Sequence, residues 1–165
     1  MFDVTLDCED GTAVGGEAEH AHLVAEMVMS AANVHGHDRQ VPVHVLVETH
    51  GALRDVERIA AHPRVESISF GLMDFVSAHR GAIPATGMSV EGQFTHPLVL
   101  RAKLAIAAAC HGFAKTPSHC VVTEFNDLQA VSAAAKKASR ELACTRMWSI
   151  HPNQIRSAWF ETAGA

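Results

Sequence analysis

The sequence predicts an α/β fold built on a parallel sheet. Strand-like and helix-like segments alternate along the 165 residues, and such alternation is typical of a parallel sheet with helices packed outside it. The segment VPVHVLVE (41–48) is a nearly continuous apolar run, which indicates a strand buried on both faces. VESISF (65–70) predicts the next strand along the chain.

Five strands are predicted in all, and each is followed by a helical segment. The predicted strands are 2–8, 41–48, 65–70, 119–125 and 145–150. The first is β-rich and stops at the acidic turn Glu9-Asp10-Gly11. The fourth, HCVVTEF, and the fifth, TRMWSI, complete the predicted sheet.

The predicted helices follow from good helix formers, apolar spacing and end signals. They are 17–31, a segment that ends at His62-Pro63, 97–111, 127–142 and a short helix that begins with Pro152. Asn126 with Gln129 resembles a capping box at the start of the fourth helix. The stretch RGAIPATGMSVEGQF is rich in Gly and Pro and predicts a loop long enough to be functional.

Composition places this chain among ordinary globular proteins, and we predict one partial domain over residues 1–165. The formal net charge is −5, which argues against binding to nucleic acid or to an anionic membrane. No apolar run reaches the ~18 residues that span a bilayer. The start, MFDVTLDCED, lacks the cationic region of a secretory signal, so we expect a cytoplasmic protein with reduced thiols.

Two carboxylates follow neighbouring predicted strands. Glu48 ends the strand 41–48, and Asp74 follows the strand 65–70 in the sequence GLMD. Either residue could instead cap the following helix. However, Thr49 is itself a competent cap, and Gly71 permits a close backbone approach to a ligand. Since parallel strands end at one edge and lie ~4.8 Å apart, Glu48 and Asp74 are a candidate Mg²⁺ site.

Four motifs together resemble a known family. LDCEDG, VLVETHGALRDVERIAAHPRV, FGLMDF and MWSIHPNQI resemble, in order, the D-L-E-D, I-E-T-x-x-G, F-G-x-x-D and I-H-P-x-Q-I motifs of the citrate lyase β-subunit-like proteins within the HpcH/HpaI aldolase family. The resemblance covers nearly the whole chain. It implies a (β/α)₈ TIM barrel, here incomplete, that forms homotrimers or hexamers.

The same resemblance implies a chemistry and a set of residues. Family members use Mg²⁺ to cleave or form carbon–carbon bonds in acyl-CoA thioesters such as malyl-, citramalyl- or citryl-CoA. By position, Glu48 and Asp74 would hold the metal, while Glu9 and Asp10 would hold its water or assist proton transfer. The backbone at 71–73, formed by Gly71, Leu72 and Met73, would face the carboxylate of the keto-acid half.

Departures from the family leave alternatives open. A full barrel has eight strands and typically ~250 residues, and the strand that carries the family's substrate-binding arginine has no counterpart here. The chain is a deletion product, a half-barrel completed by another subunit, or part of a longer enzyme; exposed sheet edges favour the last. The rival activities are an aldolase acting on free 2-keto-4-hydroxy acids and a non-catalytic remnant that serves only in assembly.

Overall fold

The computed structural model describes residues 42–124 and 126–156, together with Glu19, His22, Leu23 and Glu26. The chain divides into two units, Met1–Pro42 and Val43–Ala165. The four separate positions belong to the first unit, and all four are helical, as the predicted helix 17–31 requires. The strand predicted at 2–8 lies outside the described residues. Every element below belongs to the second unit.

The second unit contains a parallel sheet whose strands follow chain order. The strands are β1 (Val43–Val47), β2 (Val65–Phe70), β3 (Thr116–His119) and β4 (Arg146–Met147). Each strand pairs in parallel with the next, so all four strands end at the same edge of the sheet. We call this edge, at Val47, Phe70, His119 and Met147, the rim. The predicted α/β class with a parallel sheet is confirmed, in the form of a partial barrel.

Helices connect the strands and cover the sheet. They are α1 (His50–Arg54), α2 (Val56–Ala60), α3 (Leu72–Ala78), α4 (Gly92–Thr95), α5 (Pro97–Gly112) and α6 (Leu128–Leu142), with a 3₁₀ turn at Ala85–Met88 and a helical stretch at 152–156. The helices predicted at 97–111 and 127–142 are confirmed as α5 and α6. The helix predicted before Pro63 is divided into α1 and α2 at Asp55.

The core lies in two apolar clusters. The larger cluster joins β1 and β2 to α2, α3 and α5, and its fully buried centre includes Val47, Ile68 and Val99. The smaller cluster joins α6 to the segment after β3, through Val122, Val131 and Leu142. Burial of this apolar surface is the main force that holds the helices on the sheet.

The strand predicted at 119–125 is wrong in its bounds, because β3 covers Thr116–His119. Propensity favours the β-branched run after Cys120, but strand pairing decides the outcome: Ser67 and Ser69 of β2 pair with Thr116 and Ser118. Pro117 lacks an N–H donor, yet its carbonyl accepts a hydrogen bond from Thr145 N at 3.1 Å. Tertiary context here overrides intrinsic propensity.

The capping box predicted at Asn126 and Gln129 is also wrong. The N-cap of α6 is Asp127, whose carboxylate accepts hydrogen bonds from the backbone N–H groups of Gln129 (3.1 Å) and Ala130 (3.0 Å). A side-chain oxygen one residue later satisfies two donors of the first turn, which is what an N-cap does.

Helices that could span a membrane are absent from the parts of the chain that the structure describes.

Candidate functional site

Glu48 lies at the rim, directly after β1. Its side chain is half-buried. Capping of the next helix falls to its neighbour, because Thr49 Oγ1 accepts a hydrogen bond from Ala52 N at 3.1 Å. The prediction that Thr49 caps this helix is therefore confirmed. Glu48 is not required for that purpose, and its carboxylate stands at the mouth of the sheet.

Gly71 brings the end of β2 against Glu48. Its N–H donates to the Val47 carbonyl at 2.9 Å, which extends the parallel pairing to the rim. A Cβ on residue 71 would lie 2.5 Å from Glu48 Cβ and 2.7 Å from Glu48 Oε2. Real Cβ atoms do not approach other atoms so closely. The missing side chain is therefore what allows the Glu48 carboxylate to occupy this place.

The sequence predicts that Asp74 ends a strand. In the structure Asp74 lies instead in the first turn of α3. β2 ends at Phe70, and Gly71 is the N-cap of α3. The strand stops because Leu72, Phe75 and Val76 follow at helical spacing and are all buried. The Asp74 side chain is exposed, at the helix end where the macrodipole favours a negative charge.

Aromatic packing holds α3, and with it Asp74, at this place. The Phe75 ring packs edge-on against Phe70 of β2, with ring centroids 5.0 Å apart. His79 lies 4.5 Å from Phe75 on one side and 4.5 Å from His50 on the other. His50 begins α1, two residues after Glu48. The helices that follow β1 and β2 are thus packed together beside the rim.

The predicted site also includes the backbone at 71–73 and the side chains of Glu9 and Asp10. The Leu72 side chain is buried, whereas Met73 is 47% exposed. Glu9 and Asp10 lie outside the described residues. Within the described residues, no group of three or more His, Cys, Asp or Glu side chains could hold a metal ion. Mg²⁺ commonly takes only one or two protein carboxylates and keeps several waters. The carboxylates of Glu48 and Asp74 are donors of the type that this ion takes, and their sharing of one ion stays a prediction.

An open groove of about 370 Å³ lies along the loop that follows α3. We call residues 84–95 the groove loop. The groove is lined by Thr86, Gly87, Ser89, Glu91, Gly92, Thr95, His96 and Pro97. The turn is tight: a Cβ on Gly92 would lie 1.9 Å from the Thr86 carbonyl oxygen, so only glycine fits there. The loop predicted at 80–94 is therefore ordered by the 3₁₀ turn and α4.

Behind the groove loop, a buried polar network surrounds the end of β3. Lys103 of α5 is 4% exposed and His119 is 2% exposed. Lys103 Nζ donates to Gln93 Oε1 at 3.1 Å and to His119 Nε2 at 2.9 Å. His119 Nδ1 in turn donates to the Cys120 carbonyl at 2.8 Å, which leaves Nε2 as the acceptor.

Aromatic stacking and a thiol complete this network. The His119 ring stacks on Phe94, with centroids 5.2 Å apart and planes 5° from parallel, and Lys103 Nζ lies 4.7 Å from the centroid of the same ring. Cys120 Sγ donates to Gln93 Oε1 at 3.1 Å. Every polar group named here has a partner, as buried polar groups require.

Burial sets the protonation of the network. Desolvation lowers the pKa of Lys103, and it lowers the pKa of His119 well below its usual 6.5, with the Lys103 charge acting in the same direction. Burial raises the pKa of the Cys120 thiol and raises that of Cys144 to about 12. His119 and the two thiols are therefore neutral near pH 7.

The sequence analysis missed this network, although one signal was present. Lys103 falls at a buried position of α5, between Ala102 and Ile106, and a charged residue at a core position is rarely buried without partners. His119 and Cys120 carry no local signal, because only the corrected position of β3 places them at the rim. Gln154, of the motif IHPNQI, is likewise buried, and its Nε2 donates to the Val122 carbonyl at 2.7 Å.

Together, the parallel sheet, its covering helices and the carboxylates at the rim define a protein of the β/α-barrel class. A solved citrate lyase from Burkholderia xenovorans LB400 is 43% identical to this chain, with a TM-score of 0.81 over 99% of this chain and 69% of that one. A citrate lyase β subunit from Mycobacterium tuberculosis, solved with oxaloacetate and magnesium, has a TM-score of 0.67 at 16% identity, over 95% of this chain and 85% of that one. At that identity only the fold is shared.

Curated relatives point the same way. An L-malyl-CoA/β-methylmalyl-CoA lyase from Rhodobacter capsulatus is 28% identical over 152 residues, which is 87% of this chain and 48% of that enzyme. One from Cereibacter sphaeroides is 29% identical over 153 residues, with the same coverage. The chain thus spans about half the length of these relatives, and no family model matches it. On the strength of the Burkholderia match, the chain belongs to the citrate lyase β-subunit-like family of the HpcH/HpaI aldolase superfamily.

Proposed function

We propose that this chain carries the metal-binding part of a Mg²⁺-dependent carbon–carbon lyase that acts on a short hydroxyacyl-CoA. The observation that supports it best is the Glu48 carboxylate packed against Gly71 at the rim, with Asp74 in the following turn. The similarity to relatives named as malyl-CoA lyases and citrate lyases supports the same function. Malyl-, citramalyl- and citryl-CoA remain the candidate substrates.

The proposal gives roles to residues at the rim and to two residues outside the described parts of the chain. Glu48 and Asp74 hold the metal, which acts as a Lewis acid for the negative charge that develops on a substrate oxygen. The backbone from Gly71 to Met73 faces the carboxylate of the keto-acid half. Glu9 and Asp10 assist proton transfer.

The assembly is part of the same proposal. The family resemblance implies a homotrimer or hexamer, and the family's substrate-binding arginine has no counterpart at a strand end of this sequence. Residues beyond these 165 or a neighbouring subunit would supply it. The substrate is either an acyl-CoA thioester or a free keto acid, and the turn Glu9-Asp10 in LDCEDG favours the thioester.

Mg²⁺ binding by the full chain tests the site directly. We expect Glu48→Gln and Asp74→Asn each to weaken binding by at least about 100-fold, since an outer-shell change alone costs 10–100-fold. The free energy of unfolding should change by no more than ~0.5 kcal/mol, because both side chains lie at the surface edge of the fold. Glu57→Gln, an exposed carboxylate in the first turn of α2, is the matched control. Unchanged Mg²⁺ affinity in both rim variants, by isothermal calorimetry, would refute the site.

Carbon–carbon cleavage of an acyl-CoA tests the activity. The lyase proposal requires that malyl-, citramalyl- or citryl-CoA is split into acetyl-CoA and the matching keto acid (glyoxylate, pyruvate or oxaloacetate), in a reaction that stops on addition of EDTA and returns with Mg²⁺. Cleavage of free 2-keto-4-hydroxy acids in preference to the thioesters would identify the aldolase instead. Mg²⁺ binding without turnover of either class would identify a non-catalytic member that retains the metal carboxylates.

A further inference from the structure

The buried network at the end of β3 connects three elements that are distant in sequence. Lys103 belongs to α5, His119 to the end of β3, and Gln93 to α4 within the groove loop. The Gln93 side chain is fully buried. Its Nε2 donates to the Met88 carbonyl and to the Val121 carbonyl, both at 3.2 Å. One amide thus ties the start of the groove loop to the chain that leaves β3.

Lys103 orients that amide. Gln93 Oε1 accepts from Lys103 Nζ at 3.1 Å and from Cys120 Sγ at 3.1 Å. An amide with donors on its oxygen side must turn its NH₂ group the other way, toward the two carbonyls of Met88 and Val121. Without Lys103, the Gln93 oxygen would lose its stronger donor inside the core.

Substrate has no access to Lys103. The cavity beside its amine has a volume of about 10 Å³ and is lined in part by Ser118, His119, Cys120 and Cys144. A space of that size holds at most a single water molecule. Lys103 therefore acts through other residues and does not contact a substrate.

We propose that Lys103 is a positioning residue, which fixes the groove loop to the rim through Gln93 and His119 and so maintains the wall of the groove. Six of the residues that line the groove belong to this loop: Thr86, Gly87, Ser89, Glu91, Gly92 and Thr95. The other two lining residues, His96 and Pro97, lie at the start of α5. The role of Lys103 in shaping the groove is independent of the proposed function. Only the kinetic test below, which takes the groove as a surface that binds the thioester, rests on that function.

Hydrogen exchange of the full chain measures the effect on the loop without any substrate. In Lys103→Met, we expect peptides that cover 84–95 to exchange about tenfold faster or more, since a buried hydrogen bond and its partner are lost. Peptides from α2 and β1 should be unchanged. Lys137→Met is the matched control, because Lys137 Nζ lies 5.5 Å from the centroid of the same Phe94 ring and belongs to α6. Exchange in this control should match the unsubstituted chain.

A second variant keeps the test decisive if Lys103→Met does not fold. Gln93→Met removes both bonds to the carbonyls while Lys103 and His119 stay paired, and it should raise exchange in 84–95 in the same selective way. Equal acceleration in every peptide would show that the network serves overall stability only and would overturn the proposal. So would unchanged exchange of the groove loop in a folded variant.

Kinetics separate this inference from the proposed function. If the chain cleaves a hydroxyacyl-CoA, Lys103→Met should raise KM for the thioester at least about tenfold while kcat changes less than threefold, because the loop lines a binding surface. A loss confined to kcat would contradict positioning of the groove. If the unsubstituted chain shows no turnover, the proposed function fails, and the selective exchange result still decides the role of Lys103.

Discussion

The ends of β1 and β2 differ sharply from the end of β3, although all three lie at one rim. The residues after β1 and β2 include two carboxylates that water reaches: Glu48, which is half-buried, and Asp74, which is exposed. After β3 the chain presents nitrogen and sulfur, in His119 and Cys120, and buries both. Equivalent positions in a parallel sheet therefore serve opposite purposes here.

The difference shows how a functional rim is built. Charged groups that bind ions must keep access to water, because a buried, unpaired charge is very costly. Groups that shape the site are better buried, since a fully satisfied polar network in a low dielectric is rigid. In the proposed function Glu48 and Asp74 belong to the first kind, whereas Lys103, Gln93 and His119 are buried and hydrogen-bonded as the second kind requires.

The largest expected effect separates the two kinds directly. His119→Ala should lower the free energy of unfolding by about 3 kcal/mol, because it removes the stacked ring and one of the two buried acceptors of Lys103. Mg²⁺ affinity should be unchanged, since no rim carboxylate is touched. Denaturant unfolding and calorimetry give the two numbers. A variant with native stability would show that the end of β3 is not the rigid part of the rim.

Gly71→Ala is expected to have the reverse effect. The new Cβ would collide with Glu48 Cβ and Oε2, so the carboxylate must move. We expect about a tenfold loss of Mg²⁺ affinity and ~1 kcal/mol of destabilisation from overpacking. Gly51→Ala is the control, because its Cβ would meet nothing closer than 3.9 Å. Undiminished Mg²⁺ binding in Gly71→Ala would separate Gly71 from the metal site.

A third prediction concerns the pH dependence of stability. The native pKa of His119 lies well below 6.5 because of desolvation and the Lys103 charge, so the unfolded chain binds the proton first as pH falls. The contribution of His119 is complete above pH 6.5 and is lost below it, by up to ~1.4 kcal/mol per pH unit. Lys103, whose pKa is also lowered by burial, adds a slope of the same sign between its native pKa and 10.5.

The measurement is a series of unfolding curves between pH 5 and 7.5, compared with His119→Gln. We expect the slope below pH 6.5 to decrease in the variant, because glutamine does not titrate. Identical slopes would mean that His119 binds its proton equally well in the folded and the unfolded chain, and the desolvated arrangement beside Lys103 would then be wrong.

The sequence predicts correctly those strands whose burial on both faces produces a continuous apolar run. The run 41–48 contains β1 (Val43–Val47), and the predicted strand 65–70 coincides with β2 (Val65–Phe70). The C-terminal rim and the place of Glu48 at the end of β1 followed from these strands, and the helix α5 (Pro97–Gly112) followed from its own Ala-rich run. Parallel strands between helices produce such runs because both faces of the sheet are covered.

Sequence reasoning failed where pairing or packing outweighed local preference. β3 contains Pro117 and two hydroxyl residues, so nothing local marks it as a strand; its register comes from the serines of β2. Helix α3 was missed because seven residues are too few for a clear periodic signal. Asp74 accordingly lies on a helix and not at the end of a strand.

By itself, the order of apolar runs and helix formers determined a parallel α/β fold and placed two carboxylates near its rim. This is possible because buried strands and helices appear in the sequence as apolar runs and periodic apolar positions. Only the tertiary structure decided that Gly71 lies against Glu48 and that Lys103, Gln93 and His119 meet in the core. Those contacts depend on how α4, α5 and β3 come together, and no local pattern encodes the distance between side chains that are 10 to 26 positions apart in sequence.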